Sequence, residues 1–220
     1  MIETIRSVLY PQNRHNELRN PLTNTQYLLW LGGLLLYSLF IFGLYGYLGI
    51  GSENLSVYME NLKDGRWEMV KFIFFIGKVI AGLFYPFIFT LFFTVMFWIV
   101  FEEMSFWSVW KLQIIPLMIM LLAKSVELVF MIFLRIPEHS LPFALGVLTQ
   151  IITPQIFWVE LASNISLFAL LAAYLQYMIF HKSLNFSKRR VIIIVSASWI
   201  VYVLLESTTD TLFRVMRVML

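Results

Sequence analysis

The most constraining feature of this sequence is an uncharged apolar segment at residues 28–50, LLWLGGLLLYSLFIFGLYGYLGI. About 20 apolar residues in a helix cross the roughly 30 Å hydrocarbon core of a bilayer, so this segment is long enough to span a membrane. It is not expected to be a cleaved signal peptide, because the apolar stretch begins only near Tyr27 and lacks a small-residue cleavage site. We therefore predict a transmembrane helix that stays in the mature protein.

The composition extends this conclusion to the whole chain. Hydrophobic residues make up 60% of the 220 residues, and the mean hydropathy is +0.80. Only 13% of the residues are charged, against about 25% in ordinary soluble domains. The charges occur in short runs between long apolar stretches, so we predict one membrane domain over residues 1–220 whose first partner is the lipid bilayer.

Charge and cysteine usage exclude several classes of function. The formal net charge is +3 and the pI about 9.1, but the basic residues flank apolar segments, where anionic headgroups and topology account for them. Nucleic acid is therefore not an expected partner. The chain has no cysteine, which excludes disulfides, cysteine zinc sites, iron–sulfur clusters and thiol nucleophiles.

The apolar segments predict an all-α fold, a polytopic membrane helical bundle of about five transmembrane helices with short interfacial helices. The N-terminal interfacial segment carries its apolar residues on one helical face, and the alternative is a frayed polar terminus. The second interfacial segment is apolar but too short to span. The predicted transmembrane helices are 28–50, 72–100, 112–134, 155–180 and 191–206, and the interfacial segments are about 2–9 and 139–152.

Prolines and lysines refine these helices. Segment 72–100 is longer than one crossing requires, and tilting or a kink at Pro86 can absorb the excess. Lys78 lies near one end and is expected to extend its ammonium group to the interface. Thr153 and Pro154 predict the N-cap and first turn of the fourth helix. The first helix carries small residues that permit close helix approach, at Gly32, Gly33, Gly43 and Gly46.

The distribution of basic residues predicts a cytoplasmic N-terminus. With five crossings, the N-terminal side collects more lysines and arginines than the opposite side, as the positive-inside rule requires. The tail after residue 206 either extends the fifth helix or lies along the surface. The N-terminal side has Arg6, Arg14, Arg19, Lys111, Lys182, Lys188, Arg189 and Arg190, and the opposite side has Lys63, Arg66, Lys71, Arg135, Arg214 and Arg217.

Ionisable residues inside the apolar segments are the candidate site. Lys124 and Glu127 lie three apart in the third helix and can form an intramembrane pair, because unpaired charges near the bilayer centre cost several kcal/mol. Glu160 and Asn164, one turn apart in the fourth helix, can join the same polar network. The network is either a transport or coupling site or a device that holds helices together.

No catalytic, cofactor-binding or metal-binding set is apparent, so we predict a protein that is not an enzyme. Glu102 and Glu103 resemble the start of the motif of intramembrane prenyl-protein proteases, but Trp107 occupies the position where that motif has arginine. A rhomboid-type serine protease and a nucleotide-binding loop lack their motifs as well. The histidines all fall in polar segments, at His15, His139 and His181.

The chain layout resembles the Yip (Ypt-interacting protein) family of five-helix membrane proteins, particularly its short bacterial members. The N-terminal segment IRSVLYPQ ends in a proline, and the final basic loop SLNFSKRRVIII precedes the last helix. The better match is EEMSFWSVWKLQIIPLMI, where Ser105, Phe106 and Pro116 match the family's Ser-Phe pair and the proline that opens its third helix. Glu102 and Glu103 replace the family's usual glycines, and the long acidic N-terminal region of eukaryotic members is missing.

The resemblance implies a non-enzymatic accessory protein of the bacterial plasma membrane without a cofactor. In some cases such a protein works beside a macrolide-exporter-type ABC transporter in defence against toxic peptides, so subunits of such a transporter are the implied partners. We therefore expect an accessory or modulatory partner of a membrane complex. The alternative is a small permease or ion-coupled transporter in which Lys124, Glu127 and Glu160 line a polar path.

Overall fold

The computed structural model describes residues 23–51, 66–101, 104–136, 141–183 and 186–219, with the backbone alone at 66, 67, 183 and 213–219. Within these ranges the secondary structure is helical apart from one isolated bridge between Ala144 and Ser166. The predicted all-α helical bundle is thus confirmed. The helices are α1 (Asn24–Tyr47), α2 (Arg66–Val100), α3 (Phe106–Leu112), α4 (Ile114–Leu134), α5 (Gly146–Ile152), α6 (Ile156–Ser163), α7 (Leu167–Ser183) and α8 (Lys188–Met219).

Four stretches of helix in the described part are long and apolar enough to cross a membrane. These stretches are Asn24–Tyr47, Glu68–Val100, Phe106–Leu134 and Lys188–Leu212, and Leu167–Lys182 is a shorter apolar helix. The first begins at a capping box, in which the Thr23 hydroxyl accepts from the Gln26 backbone N–H and the Gln26 side chain accepts from the Thr23 N–H. Helix α1 therefore starts four residues before the predicted segment.

The prediction of one continuous helix at 155–180 is wrong. Helix α6 ends at Ser163 and α7 begins at Leu167, because the backbone between them bonds to another segment. The Leu145 N–H donates to the Ile165 carbonyl and the Leu167 N–H donates to the Phe143 carbonyl, at 3.2 and 2.9 Å. The Ser166 hydroxyl then accepts from the Ala169 N–H and caps α7.

The predicted start of that helix is also displaced. Gln155 rather than Thr153 is the N-cap of α6, and Thr153 instead ends α5. The Thr153 hydroxyl accepts from the Gln155 N–H at 3.2 Å, so it stabilises the turn between the two short helices. The interfacial segment predicted at 139–152 contains a helix only from Gly146, and its first two residues lie outside the described ranges, as does the whole of segment 2–9.

The fifth predicted helix, 191–206, is longer at both ends. It continues as α8 to Met219, because the sequence after Glu206 contains no proline or glycine that would stop it. The hydroxyls of Thr208, Thr209 and Thr211 donate to the carbonyls one turn earlier and satisfy their hydrogen bonds within the helix. The tail is therefore a continuation of the last helix.

Helices α1 and α2 form the most extensive pair in the bundle, and Pro86 explains part of their contact. Proline has no N–H, so the carbonyl of Gly82 one turn earlier loses its helical donor. The Ser38 hydroxyl of α1 donates to this carbonyl at 2.7 Å and is fully buried. A Cβ at Gly82 would lie 2.7 Å from the Phe42 Cβ, so the two helices approach closely here.

The expected small-residue face of α1 is used only in part. Gly46 lies against Phe75 and Lys78 of α2, where an added Cβ would be 3.1 Å from each. Gly32, Gly33 and Gly43 have open space instead. The Lys78 side chain extends past the Tyr45 ring toward Gly51, and its position at the membrane interface stays a prediction.

An aromatic core fills the centre of the bundle. Four phenylalanines recur every fourth residue along α2 and the residue directly after it, so they fall on one face, and each is 0 to 1% exposed. Their rings contact Phe180 of α7 and Trp199 and Tyr202 of α8. The ladder consists of Phe89, Phe93, Phe97 and Phe101.

Candidate functional site

Lys124 and Glu127 form an ion pair in the middle of α4. The ammonium nitrogen lies 2.9 Å from Glu127 Oε2, and the two side chains are 23% and 16% exposed. The three-residue spacing places both on one helix face. The neighbouring Ser125 shares a hydrogen bond of 2.6 Å with the Tyr37 hydroxyl, and the Tyr45 hydroxyl donates to the Lys124 carbonyl. Helix α1 therefore contacts α4 beside the ion pair through these two hydrogen bonds.

Helix α8 supplies a second acid that the sequence did not predict. Glu206 lies close enough to Lys124 and Glu127 for electrostatic interaction with both, and it lies near the Tyr202 hydroxyl one turn earlier. Asp210, one turn further along, also acts on Glu206. The three α8 residues recur at intervals of four and so share a face of the helix.

Tyr85 completes this group from α2. Its hydroxyl oxygen is fully buried and has no hydrogen-bond partner among the residues that the structure describes. It lies beside the Tyr202 hydroxyl without hydrogen-bonding geometry to it, and it interacts electrostatically with Glu206, Lys124 and Glu127. We call Tyr85, Lys124, Glu127, Tyr202 and Glu206 the charged cluster.

Of the other two predicted site residues, Asn164 is hydrogen-bonded to α8. The Asn164 side chain, at the end of α6, donates to the Ser207 hydroxyl at 3.1 Å and to Asp210 Oδ2 at 3.4 Å. Glu160, one turn earlier in α6, is buried at 4% exposure. The structure thus brings Lys124 and Glu127 into direct contact and connects Asn164 to the helix that carries Glu206.

Glu206 could have been found from its spacing. Tyr202, Glu206 and Asp210 recur at intervals of four, which is the pattern of one helix face. The predicted fifth helix ends at residue 206 and therefore excludes Asp210 from this row. The partner side chains on α2 and α4 depend on tertiary packing and have no local signal.

A second polar group in the bundle is uncharged. Gln176 of α7 donates to Gln113 Oε1 at 2.8 Å, and its own carbonyl oxygen accepts from the Trp199 indole N–H at 2.6 Å. All three side chains are buried within the aromatic core. We call Gln113, Gln176 and Trp199 the glutamine network; it connects the α3–α4 junction, α7 and α8.

The short helix α3 presents a partly exposed aromatic surface. Ser105 caps it, since the Ser105 hydroxyl accepts from the Ser108 N–H. Phe106 contacts three indole rings, and Trp107 is 66% exposed. We call Trp98, Phe106, Trp107 and Trp110 the aromatic platform.

Helix α3 is fixed to the beginning of α1 by polar contacts. Lys111 donates to Asn24 Oδ1 at 2.8 Å, and the Trp110 indole N–H is hydrogen-bonded to the Tyr27 hydroxyl. The Lys111 side chain is buried by this arrangement. The orientation of the aromatic platform is therefore set by α1 as well as by the adjoining helices.

The described residues contain no group of three or more histidine, aspartate or glutamate side chains arranged to hold a metal ion. His181 stacks on Tyr177, and within the described part of the chain its buried Nδ1 has no hydrogen-bond partner. His15, His139, Glu102 and Glu103 lie outside the described part of the chain. Comparison with protein-family models, curated proteins and solved structures finds no match for the chain.

Proposed function

We propose that the protein is a non-enzymatic, multi-pass integral membrane protein that acts as an accessory or modulatory partner of a membrane complex. The aromatic platform is the observation that carries this proposal. Large aromatic side chains at the centre of a contact supply much of the binding energy in protein interfaces, and here Trp107 is 66% exposed on a helix whose orientation is fixed by buried contacts.

The resemblance to short bacterial Yip-family members supports the same proposal. Ser105 and Phe106, on which that resemblance depends, cap α3 and contribute the central ring of the platform. The proposed location is the bacterial plasma membrane with the N-terminus in the cytoplasm. The proposed partner is a transmembrane subunit of an ABC exporter used in defence against toxic peptides.

A pull-down from native membranes in mild detergent, followed by mass spectrometry, tests this function. We expect transporter subunits in stoichiometric amounts with the wild-type protein and their loss with Trp107→Ala. Trp158→Ala is the matched control, because Trp158 is also half exposed but lies on α6. A partnerless wild-type protein, or equal recovery with both variants, would contradict the proposal.

The charged cluster favours a second candidate, a small ion-coupled permease. Ionisable residues within membrane segments commonly mark ion or substrate pathways, and α6 and α7 form a broken helix whose junction contacts α8 near Glu206. Proteoliposomes loaded with a pH-sensitive dye should then pass protons under an imposed potential. Glu127→Gln should abolish this flux with an unchanged helical content, whereas Glu68→Gln, at an exposed ion pair, should not.

A further inference from the structure

Three consecutive cations lie on the first turn of α8, where its apolar stretch begins. Lys188, Arg189 and Arg190 are all exposed, and we call them the basic turn. Ile192 and Ile193 follow within one helical turn and are exposed as well. Exposed cations directly before exposed apolar side chains are typical of the level at which a helix passes from the headgroups into the hydrocarbon.

The basic turn is attached to the bundle by aromatic contacts. The Arg190 guanidinium lies over the Phe186 ring, 4.4 Å from its centre. The Phe186 ring stacks on Phe101, directly after α2, with the ring centres 5.6 Å apart. The Ser187 hydroxyl accepts from the Arg190 N–H at 3.4 Å, where α8 begins. The basic turn therefore has a defined position at the end of the bundle where α2 terminates.

Folding of the helix does not account for the charge of the basic turn. Cations at the beginning of a helix are unfavourable, because the backbone N–H groups there carry a partial positive charge. The first turn of α8 contains no acidic residue. Among the described residues, none of the three cations forms an ion pair, and the described pairs lie on α2 and α4. These observations favour an anion outside the bundle as the partner of the basic turn.

The chemistry of this surface matches an anionic phospholipid. A guanidinium group binds phosphate oxygens through two parallel hydrogen bonds, and a lysine adds a point charge. Anionic headgroups attract basic residues that lie next to a membrane-spanning helix. A soluble anion would contact the cations alone, whereas a phospholipid also covers Ile192 and Ile193 with its acyl chains. The neighbouring apolar side chains therefore favour a lipid over free phosphate.

We propose that the basic turn binds the headgroup of an anionic phospholipid. Lys188, Arg189 and Arg190 donate to its phosphate oxygens, and its acyl chains lie along Ile192 and Ile193. The binding is noncovalent. It goes beyond the proposed function, because it does not depend on whether the aromatic platform binds a partner protein.

Native mass spectrometry of the full-length protein, titrated in detergent with phosphatidylglycerol or phosphatidylcholine, tests the proposal. We expect the wild-type protein to bind phosphatidylglycerol more tightly. Each removed charge should raise its dissociation constant about five-fold. The triple variant Lys188→Gln, Arg189→Gln and Arg190→Gln should therefore lose the preference. Lys71→Gln is the matched control, because Lys71 is an exposed cation already paired with Glu68, and it should keep the preference.

Arg189→Gln alone keeps the test decisive if the triple variant does not fold, since it retains the Arg190 contact with Phe186. Equal wild-type affinity for the two lipids would overturn the proposal. Unchanged affinity in the variants would also overturn it, and is expected if Glu102 and Glu103, which follow Phe101 in the sequence, neutralise the basic turn.

Two further outcomes would assign the basic turn to another anion and so overturn the proposal. Inorganic phosphate that displaces phosphatidylglycerol better than chloride does at equal ionic strength would indicate a site for a soluble anion. Loss of co-purified subunits in Arg189→Gln, with unchanged lipid affinity, would indicate an acidic segment of a partner protein. Partner recovery with Trp107→Ala tests the proposed function separately.

Discussion

The glutamine network and the charged cluster are both polar groups inside an apolar bundle, and they lie one turn apart along α8 at Trp199 and Tyr202. In the glutamine network, uncharged groups bond to each other and are enclosed by aromatic rings. In the charged cluster, the ion pair is partly exposed and a tyrosine hydroxyl has no partner. A fully satisfied network rigidifies a fold, whereas a buried polar group without a partner costs free energy.

From this comparison we expect the aromatic core and the glutamine network to contribute most of the protein's stability. Phe93 is fully buried against Phe97 and Trp199, so Phe93→Ala should lower the free energy of unfolding by about 3 kcal/mol. Phe72→Ala, at a 61% exposed position of the same helix, should change it by less than about 0.5 kcal/mol. Unfolding in mixed micelles, followed by circular dichroism, measures both; equal effects would show that the ladder is not the core.

Removing the centre of the glutamine network should have the next largest effect. Gln176→Leu leaves the Gln113 carbonyl oxygen and the Trp199 indole N–H without a partner, at a cost of about 2 kcal/mol. Tyr174→Leu, on an exposed face of the same helix, is the control. The same unfolding titration measures this loss. If Gln176→Leu is as stable as the control, the glutamine network contributes no more to stability than the charged cluster does.

The ion pair should contribute less to stability. Lys124→Met and Glu127→Gln should each destabilise the protein, but the double variant should recover about 1 kcal/mol of the summed loss, since neither charge is then left alone. A double-mutant cycle in mixed micelles gives this coupling energy. Additive losses would mean that the 2.9 Å ion pair contributes no coupling energy. A coupling energy larger than the loss caused by Gln176→Leu would contradict the expectation that the ion pair contributes less to stability than the glutamine network.

The smallest effect is expected at the edge of the charged cluster. Asn164→Ala removes the hydrogen bonds to Ser207 and Asp210 and should cost about 0.5 kcal/mol. Amide hydrogen exchange should then become faster in α6. Ser163→Ala removes only a hydrogen bond within α6 and is the control; similar exchange in both variants would mean that Asn164 does not fix α6 to α8.

The sequence predicted the apolar helices well, because length and the absence of charge are local properties. It also singled out Lys124 and Glu127, whose spacing already places them on one face. It missed the break at Asn164, since the hydrogen bonds from Leu145 and Leu167 that replace the helical pattern come from tertiary packing. It missed Glu206 because the predicted fifth helix ends at residue 206 and so excludes Asp210 from the row that Tyr202, Glu206 and Asp210 form at intervals of four.

The proline in α2 has a consequence for how the chain enters the bilayer. Without α1, the Gly82 carbonyl that Pro86 leaves without a helical donor would meet hydrocarbon, where no water can hydrogen-bond to it. Ser38 meets that need, and it is synthesised before Pro86. The two helices are therefore expected to leave the translocon as a pair, with α1 held nearby until α2 arrives, so that Ser38 serves biogenesis as well as the contact between the two folded helices.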